Sequence, residues 1–188
     1  MSAPRPNLAT FTSAEFERLV RSGGLGDKRV ELRRGLIAEM SPQHMPHARV
    51  KRLLTKAIEA ALAAAGLDWI VDQEVSVSFG DDFQPLPDIV VWTPELASAE
   101  MDGPAPGLAV KLIVEVADAS LADDLGEKLD DYAAAGLAEY WVADVKGRLV
   151  LRHADKAMSG YTRREPASFG ETIAALTLPL QVDTAALK

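Results

Sequence analysis

The chain has 188 residues, with 28 Asp+Glu against 20 Lys+Arg, a formal net charge of -8 and no cysteine. Its length suffices for one domain with a substantial core, and its share of 48% hydrophobic residues is that of a globular protein. The acidic balance excludes a general basic coat for nucleic acid, although it leaves room for a local site. Without cysteine, the chain has no disulfide, no thiolate zinc site and no cysteine nucleophile.

No apolar run comes close to the roughly 20 residues that a membrane span needs. Residues 1–13 also lack the apolar core of a signal peptide. Together with the absence of cysteine, which suits a reducing compartment, these features predict a cytoplasmic protein that has no membrane association.

The first half of the chain predicts a flexible arm followed by two helices and four strands. Residues 1–11 form the arm, and Thr12 with Glu15 has the spacing of a capping box for a helix through Val20. A hairpin at residues 29–40 turns at 33–35, and a long helix at 47–65 is capped by Gly66. Two strands follow at 69–79 and 86–92.

In the second half, a loop at residues 93–107 leads to a strand at 108–117 that is apolar almost throughout, as in strands covered on both faces. Ser120 begins a predicted helix through Tyr132 that ends at Gly136. Strands follow at 140–144 and 148–153, with one or two more between 161 and 174. No repeat or long linker divides the chain, so residues 12–188 are predicted to form one mixed α/β domain with helices packed on a sheet.

Two carboxylates interrupt strands that otherwise have the composition of buried strands. Asp88 lies within residues 86–92, and Glu115 lies within the apolar strand at 108–117. An ionised carboxylate is costly to bury alone, so such groups are normally paired, bound to metal or protonated. Because Pro87 cannot donate to a ladder, it belongs at the start of its strand, and Asp88 is then close to a strand end where a site could open to solvent.

Lys128 is a third anomaly. Four residues at helical spacing lie on one face of the predicted helix: Leu121, Leu125, Lys128 and Tyr132. A lysine therefore replaces an apolar residue on the face that packs inward. Asp124, four residues earlier, flanks Lys128 and can orient it.

The two acids and the lysine have two interpretations. In the first, a divalent cation such as Mg²⁺ relieves the repulsion between Asp88 and Glu115 and polarises a phosphate oxygen, while Lys128 assists the attacking water or stabilises developing charge. In the second, which is purely structural, Asp88 caps a turn and Glu115 pairs with Lys128, whose stem lies along the core. The residue pattern leaves both interpretations open.

The residues around these positions resemble the Uma-type family of putative restriction endonucleases, a branch of the PD-(D/E)xK nuclease superfamily. The resemblance covers roughly residues 12–144, and its motifs are VEL at 30–32 with Gly35, PD at 87–88, EVADAS at 115–120, DLGEK at 124–128, YAAAG at 132–136 and EYWVAD at 139–144. A Pro-Asp pair alone is uninformative, whereas the ordered set is specific. The resemblance implies a restriction-endonuclease-like fold: a mixed central β-sheet flanked by helices, with an N-terminal helix and β-hairpin.

By this resemblance, Asp88 and Glu115 are ligands of Mg²⁺, or of Mn²⁺, and all three anomalous residues are catalytic. The superfamily's usual lysine, two residues after the glutamate, is replaced here by Ala117. The family instead places its lysine on the following helix, where Lys128 stands.

Glu31, by the same resemblance, is an accessory acid that positions a metal or the lysine. Arg29 and Arg33 share its strand face, however, so a solvated, salt-bridged surface is an equally good prediction. Arg33-Arg34 and Leu36 also depart from the Ile-Asp and Glu that the family usually has around the glycine.

Asp124 and His47 are the other accessory candidates. His44 and His47 are three residues apart at the start of the long helix, where a DNA-backbone or structural role is favoured over a metal site. Four basic residues form a face of this helix that could meet phosphates: Arg49, Lys51, Arg52 and Lys56.

The sequence therefore predicts a Mg²⁺-dependent endonuclease that hydrolyses DNA phosphodiester bonds. The alternatives are a non-catalytic nuclease-like module for protein interaction or DNA binding, and an enzyme that acts on RNA or on a small phosphoester. A homodimer is compatible with cutting both strands, which needs two sites, although no residue specifies one. The net charge of -8 requires that any DNA contact be local and dependent on metal.

Overall fold

The computed structural model of the protein describes residues 8–94, 102–157 and 159–188. Residues 1–7 of the predicted arm and residues 95–101 of the predicted loop lie outside this part of the chain. Within the described ranges, no helix is both long and apolar enough to cross a membrane.

The predicted helices and strands appear in the predicted order, and the structure adds short strands at Ala105–Pro106, inside the predicted loop, and at Gln181–Asp183, after the last predicted strand. The elements are α1 (Ser13–Arg21), β1 (Val30–Arg33), β2 (Leu36–Glu39), α2 (Met45–Ala65), β3 (Ile70–Asp72), β4 (Val77–Ser78), β5 (Ile89–Trp92), β6 (Ala105–Pro106), β7 (Val110–Ala117), α3 (Leu121–Asp124), α4 (Glu127–Ala134), β8 (Glu139–Asp144), β9 (Leu149–Lys156), β10 (Tyr161–Ser168), β11 (Thr172–Ala174) and β12 (Gln181–Asp183). The predicted capping box forms at α1, where the Thr12 N–H donates to the Glu15 carboxylate at 2.9 Å. Gly66 ends α2 with a left-handed φ of 68°.

A six-stranded sheet forms the centre of the fold, in the order β10-β9-β8-β7-β5-β3. β7 and β8 run parallel, whereas the other neighbouring pairs are antiparallel. The C-terminal ends of β7 and β8 and the beginning of β5 therefore lie side by side. We call this side of the sheet, which is formed by strand ends, the upper edge. This edge carries the polar residues discussed below.

The two faces of the sheet are covered by different helices. α2 packs on one face, where Leu54 belongs to the same buried cluster as Val114 of β7. α4 packs on the opposite face, where Leu129 clusters with Ile113. Because side chains alternate along a strand, Glu115 points to the α4 side, like Ile113.

Two predicted elements are wrong in their extent. The strand predicted at 69–79 is interrupted: β3 and β4 belong to different sheets, because the chain turns between them at Glu74, which has φ of 55°. The helix predicted from Ser120 is broken into α3 and α4 at residues 125 and 126. Elsewhere the boundaries shift by a few residues, as at Met45, where α2 begins two residues before its predicted start.

Gly126 permits the break between α3 and α4. Its backbone has φ of -109° and ψ of -108°, outside the regions that side chains readily allow. A Cβ atom at this position would lie 2.7 Å from the carbonyl oxygen of Ala122. The break sets the start of α4, in which Lys128 is the second residue.

The substitution Gly126→Ala should lower the free energy of unfolding by about 1–3 kcal/mol, because the added Cβ clashes with backbone that cannot move without displacing α3. Urea unfolding measures the change. Gly24→Ala is the control, since its Cβ would meet no atom closer than 3.3 Å. Equal stability of the two variants would contradict the role given to Gly126.

Candidate active site

Asp88 and Glu115 meet at the upper edge of the sheet. Asp88 immediately precedes β5, and Ile89 pairs with Val114 of β7, so the two acids lie on neighbouring strands. The Asp88 N–H donates to Glu115 Oε2 at 3.3 Å. The two residues are only 5% and 2% exposed, so both carboxylates depend on protein groups for their solvation.

Asp88 is held by donors from α2, from the segment before α2 and from β7. His47 Nε2 and the Val116 N–H each lie 2.9 Å from Asp88 Oδ2. Gln43 Nε2 donates to Oδ1 at 2.8 Å, and Lys51 Nζ lies 3.6 Å from the same oxygen. Burial acts to raise the pKa of Asp88, but the hydrogen bond and charge of His47, with the Val116 N–H and Lys51, hold it below its ordinary value.

Lys128 reaches the same site from α4. Its Nζ lies 3.1 Å from Glu115 Oε1, 3.6 Å from Glu31 Oε1 and 3.8 Å from Asp124 Oδ1. The Tyr132 hydroxyl, one helical turn further along, donates to Glu115 Oε1 at 2.9 Å. The predicted inward-facing stripe is therefore present on both sides of the helix break, since Leu121 and Leu125 pack against the same cluster as Tyr132. Tyr132, which the pattern predicted to be an apolar core residue, also makes a polar contact through its hydroxyl.

Carboxylates outnumber ammonium groups around Lys128. Burial raises the pKa of Glu115 to about 8 against the attraction of Lys128, and Asp88 and other nearby acids add to the rise. Burial likewise raises the pKa of Asp124 to about 6. Burial acts to lower the pKa of Lys128, but the surrounding carboxylates outweigh it and keep the pKa above its ordinary value, so the ammonium stays protonated.

Glu31 is buried at 4% exposure, so the prediction of a solvated, salt-bridged surface for it is wrong. Arg33, on the same strand, does not extend into solvent but bridges to the helices. Its Nη1 donates to both oxygens of Asp123 at 2.8 and 3.0 Å, and its Nε lies 3.5 Å from Asp131 Oδ2. Arg34 Nε donates to Asp131 Oδ1 at 2.7 Å. These contacts fasten the β1–β2 hairpin to the α3–α4 segment and bring Glu31 to Lys128.

Asp88 and Glu115 each keep one carboxylate oxygen with spare accepting capacity. In the described part of the chain, Asp88 Oδ1 and Glu115 Oε2 each accept one hydrogen bond, whereas the other oxygen of each residue accepts two. Both residues line a cavity of about 220 Å³, together with Glu31, Asp124 and Lys128.

The donor set of this cavity fits Mg²⁺ as a two-carboxylate site. Among the described residues, no group of three or more histidine and acidic side chains is arranged so that it could hold a metal ion by itself. Mg²⁺ commonly binds through one or two carboxylates and keeps several waters. It would also offset the surplus of negative charge that raises the pKa of Glu115.

The structure brings the six candidate residues around this one cavity: Glu31, His47, Asp88, Glu115, Asp124 and Lys128. It also adds residues that the sequence pattern did not select. Gln43 contacts Asp88, and Lys51 lies behind Gln43, with Nζ 2.6 Å from Gln43 Oε1 and 2.6 Å from Glu74 Oε1. The prediction that Lys51 belongs to an exposed basic face is therefore wrong, because it is 6% exposed, while Arg49, Arg52 and Lys56 are exposed.

The architecture is that of a restriction-endonuclease-like nuclease fold. A crystal structure of "a putative nuclease belonging to DUF820" from Anabaena variabilis ATCC 29413 superposes with a TM-score of 0.64, over 94% of this chain and 96% of that chain, at 16% sequence identity. This similarity confirms the predicted fold class: a mixed sheet with helices, preceded by an N-terminal helix and a hairpin.

The family model Uma2, described as "Putative restriction endonuclease", matches residues 13–186. The chain belongs to this family, which confirms the resemblance found in the sequence motifs. A search of curated proteins finds no match.

In the absence of divalent cations, the protein should lose stability as the pH rises from about 5 to about 8. Folded Glu115 keeps its proton up to a pKa of about 8, whereas the unfolded chain releases it near the ordinary value of 4.5. The folded state therefore binds more protons in this interval, and Glu115 alone lowers the free energy of unfolding by at most about 1.4 kcal/mol per pH unit, to which Asp124 adds below its pKa of about 6. Urea unfolding in EDTA across this range measures the slope.

Glu115→Gln is the matched variant, because glutamine cannot ionise. It should remove most of the fall in stability between about pH 5 and pH 8. A variant with the same pH dependence as the wild type would show that another group causes it.

Proposed function

We propose that the protein is a Mg²⁺-dependent endonuclease that hydrolyses DNA phosphodiester bonds at the cavity lined by Asp88, Glu115 and Lys128. Family membership supports a nuclease, because the family is described as one. The observation that carries the proposal is the position of Lys128, whose Nζ lies 3.1 Å from Glu115 on the wall of the cavity that also contains Asp88. In this proposal, Lys128 of α4 replaces the lysine that the superfamily usually has on the strand, at the position of Ala117.

In this proposal, Asp88 and Glu115 would hold the metal, since each has one carboxylate oxygen with spare accepting capacity. The bound Mg²⁺ would supply Lewis-acid polarisation of a phosphate oxygen. His47, Gln43 and the Val116 N–H fix the Asp88 carboxylate, so that its orientation does not depend on the ligand.

Lys128 acts in the proposal as a protonated donor. Because surrounding carboxylates keep its pKa above the ordinary value, its ammonium orients the attacking water and stabilises the charge that develops on the phosphoryl oxygens. The water oxygen forms the new bond to phosphorus while the bond from phosphorus to the ester oxygen breaks. The water gives up a proton to solvent, and the departing oxygen takes one from solvent. Glu31 and Asp124, at 3.6 and 3.8 Å from Nζ, position the lysine as accessory residues.

One observation favours the second candidate, a nuclease-like module that binds DNA without cutting it. Lys128 is engaged by three carboxylates, and no group of three metal ligands is preformed among the described residues. Metal binding and cleavage, measured separately, distinguish the two candidates. A homodimer would provide the two sites that a double-strand cut needs.

Asp88→Asn should weaken Mg²⁺ binding by at least about tenfold, because it removes one of two charged ligands while keeping the shape of the side chain. Isothermal titration with Mg²⁺ and with Mn²⁺ measures this. Asp68→Asn changes an exposed acid and should leave the affinity unchanged. Equal binding by wild type and Asp88→Asn would remove the proposed metal site.

Lys128→Met should lower the rate of plasmid nicking in Mg²⁺ by about 10²–10³-fold while metal binding persists, because the substitution removes the donor that acts in the transition state. Lys56→Met, an exposed substitution on α2, is the control. Unchanged nicking by purified Lys128→Met would argue for a contaminating nuclease or for a different catalytic group. Metal binding without any wild-type cleavage would favour the non-catalytic module.

A further inference from the structure

A second and larger concavity lies on the flank of α2 that faces away from His47 and Lys51. It has a volume of about 600 Å³, against about 220 Å³ for the cavity at Asp88. Its walls come from the first turns of α2, from the turn after β8 and from the segment after β10. We call it the α2 groove. A volume of this size is in the range of sites that hold small organic molecules or parts of polymers.

The α2 groove is basic in a protein whose net charge is -8. Three arginines line it, and all are exposed: Arg49, Arg52 and Arg148. In the described part of the chain, ion pairs form at other arginines, namely Arg21, Arg29, Arg33, Arg34, Arg152 and Arg163, and at none of these three. Arg148 Nη2 donates to the Leu187 carbonyl at 3.2 Å, which leaves its charge without a carboxylate partner. Guanidinium groups without ion pairs, gathered in one groove, are complementary to an anion, and their planar donors suit phosphates.

The floor of the groove is apolar. It is formed by Val50, Leu53, Val145, Phe169 and Leu187. Met45, at the rim, is 80% exposed. A floor of this kind does not suit the outer surface of a DNA duplex, which presents phosphates and sugars while its bases are stacked inside. It suits a single strand, whose unpaired bases stack on aromatic and apolar side chains while basic residues follow the backbone.

The groove and the candidate active site open at the same edge of the sheet. β7, which carries Glu115, and β8, which leads to Val145 and Arg148, end side by side because Ala117 pairs with Asp144. The Val145 N–H donates to the Ala117 carbonyl at 3.0 Å. Val145 follows the strand next to Glu115 and lies three residues beyond Val142, the partner of Glu115, so the groove begins on the order of 10 Å from Glu115, at about 3.3 Å per residue and 4.8 Å per strand. A strand bound at the cavity can reach it within a few nucleotides.

We propose that the α2 groove binds an unpaired stretch of the same nucleic-acid strand whose phosphate occupies the cavity at Asp88. Arg49, Arg52 and Arg148 contact its phosphates, and a base packs against Phe169. This inference rests on the proposed nuclease function and makes it narrower: the substrate has a single-stranded segment beside the cleavage point, as in a flap, a gap or an open end.

Binding in EDTA tests the groove separately from catalysis. The probe is a fluorescein-labelled single-stranded DNA of about 12 nucleotides, with the blunt duplex of the same sequence as comparison, and fluorescence anisotropy measures the affinity. The wild type should prefer the single strand by about tenfold. Arg49→Gln/Arg52→Gln should weaken its binding by about tenfold, and should reduce the slope of log affinity against log salt by about 1.4, as the loss of two phosphate contacts requires.

Two further variants make the test specific. Arg18→Gln/Arg164→Gln removes two exposed charges on α1 and β10, outside the groove, and should bind like the wild type. Phe169→Leu keeps the apolar packing but removes the ring, and should weaken binding by about 3–10-fold with an unchanged salt slope.

The outcomes separate the groove from the proposed function. Equal affinities in the groove variant and its control, or equal affinity for duplex and single strand, would overturn the inference. Stronger groove-dependent binding of a labelled poly-glutamate peptide would also overturn it, because the groove would then hold an acidic peptide. A dimer in sedimentation that only the groove variants dissociate would overturn it as well, because the groove would then hold a second copy of the chain. Groove-dependent binding without Mg²⁺-dependent cleavage would uphold the groove and contradict hydrolysis.

Discussion

The compensation of buried negative charge at the upper edge of the sheet is the constraint on which the rest of the site depends. Glu31, Asp88, Glu115 and Asp124 are each at most 5% exposed, and like charges so close together cannot all ionise without help. Every element that approaches the edge brings donors to them. α2 contributes His47, and the α3–α4 segment contributes Lys128, while the strands add main-chain N–H groups. The packing of the helices on the sheet therefore also supplies the groups that stabilise the buried carboxylates.

The sequence predicted the centre of this arrangement because its members break the local pattern. Asp88 and Glu115 are acids in apolar strands, and Lys128 is a cation on an inward helical stripe. Gln43 and Lys51 were missed because nothing local marks them: a polar residue before a helix and a lysine on a basic helix are ordinary. Their role follows from where the chain bends at Glu74, which brings a carboxylate to within 2.6 Å of Lys51, and such tertiary geometry leaves no periodic signal.

The helix break had no reliable signal either. A glycine inside a helical pattern is usually tolerated at a modest cost, and the pattern on both sides of Gly126 continues the same stripe. Only the folded structure shows the close approach of the Ala122 carbonyl, which leaves no room for a side chain at position 126. By contrast, the capping box at Thr12 and the left-handed Gly66 are local features, and they were predicted correctly for that reason. The boundaries of the fold were thus predictable where neighbours in sequence decide the backbone, and not where distant residues do.

The arginines of the β1–β2 hairpin affect the order in which the parts of the protein fold. Arg33 and Arg34 meet acids that are 90 and 97 positions away in the chain, so closing this contact costs the entropy of a long loop. The strands of the central sheet can pair before it forms, since β7, β8 and β9 are near neighbours in sequence. We therefore expect the central sheet to form first and the cavity at Asp88, with its acidic lining, to form last. In the native ensemble, this cavity should also be the part that opens most readily, while the hydrogen bonds of the central strands remain closed.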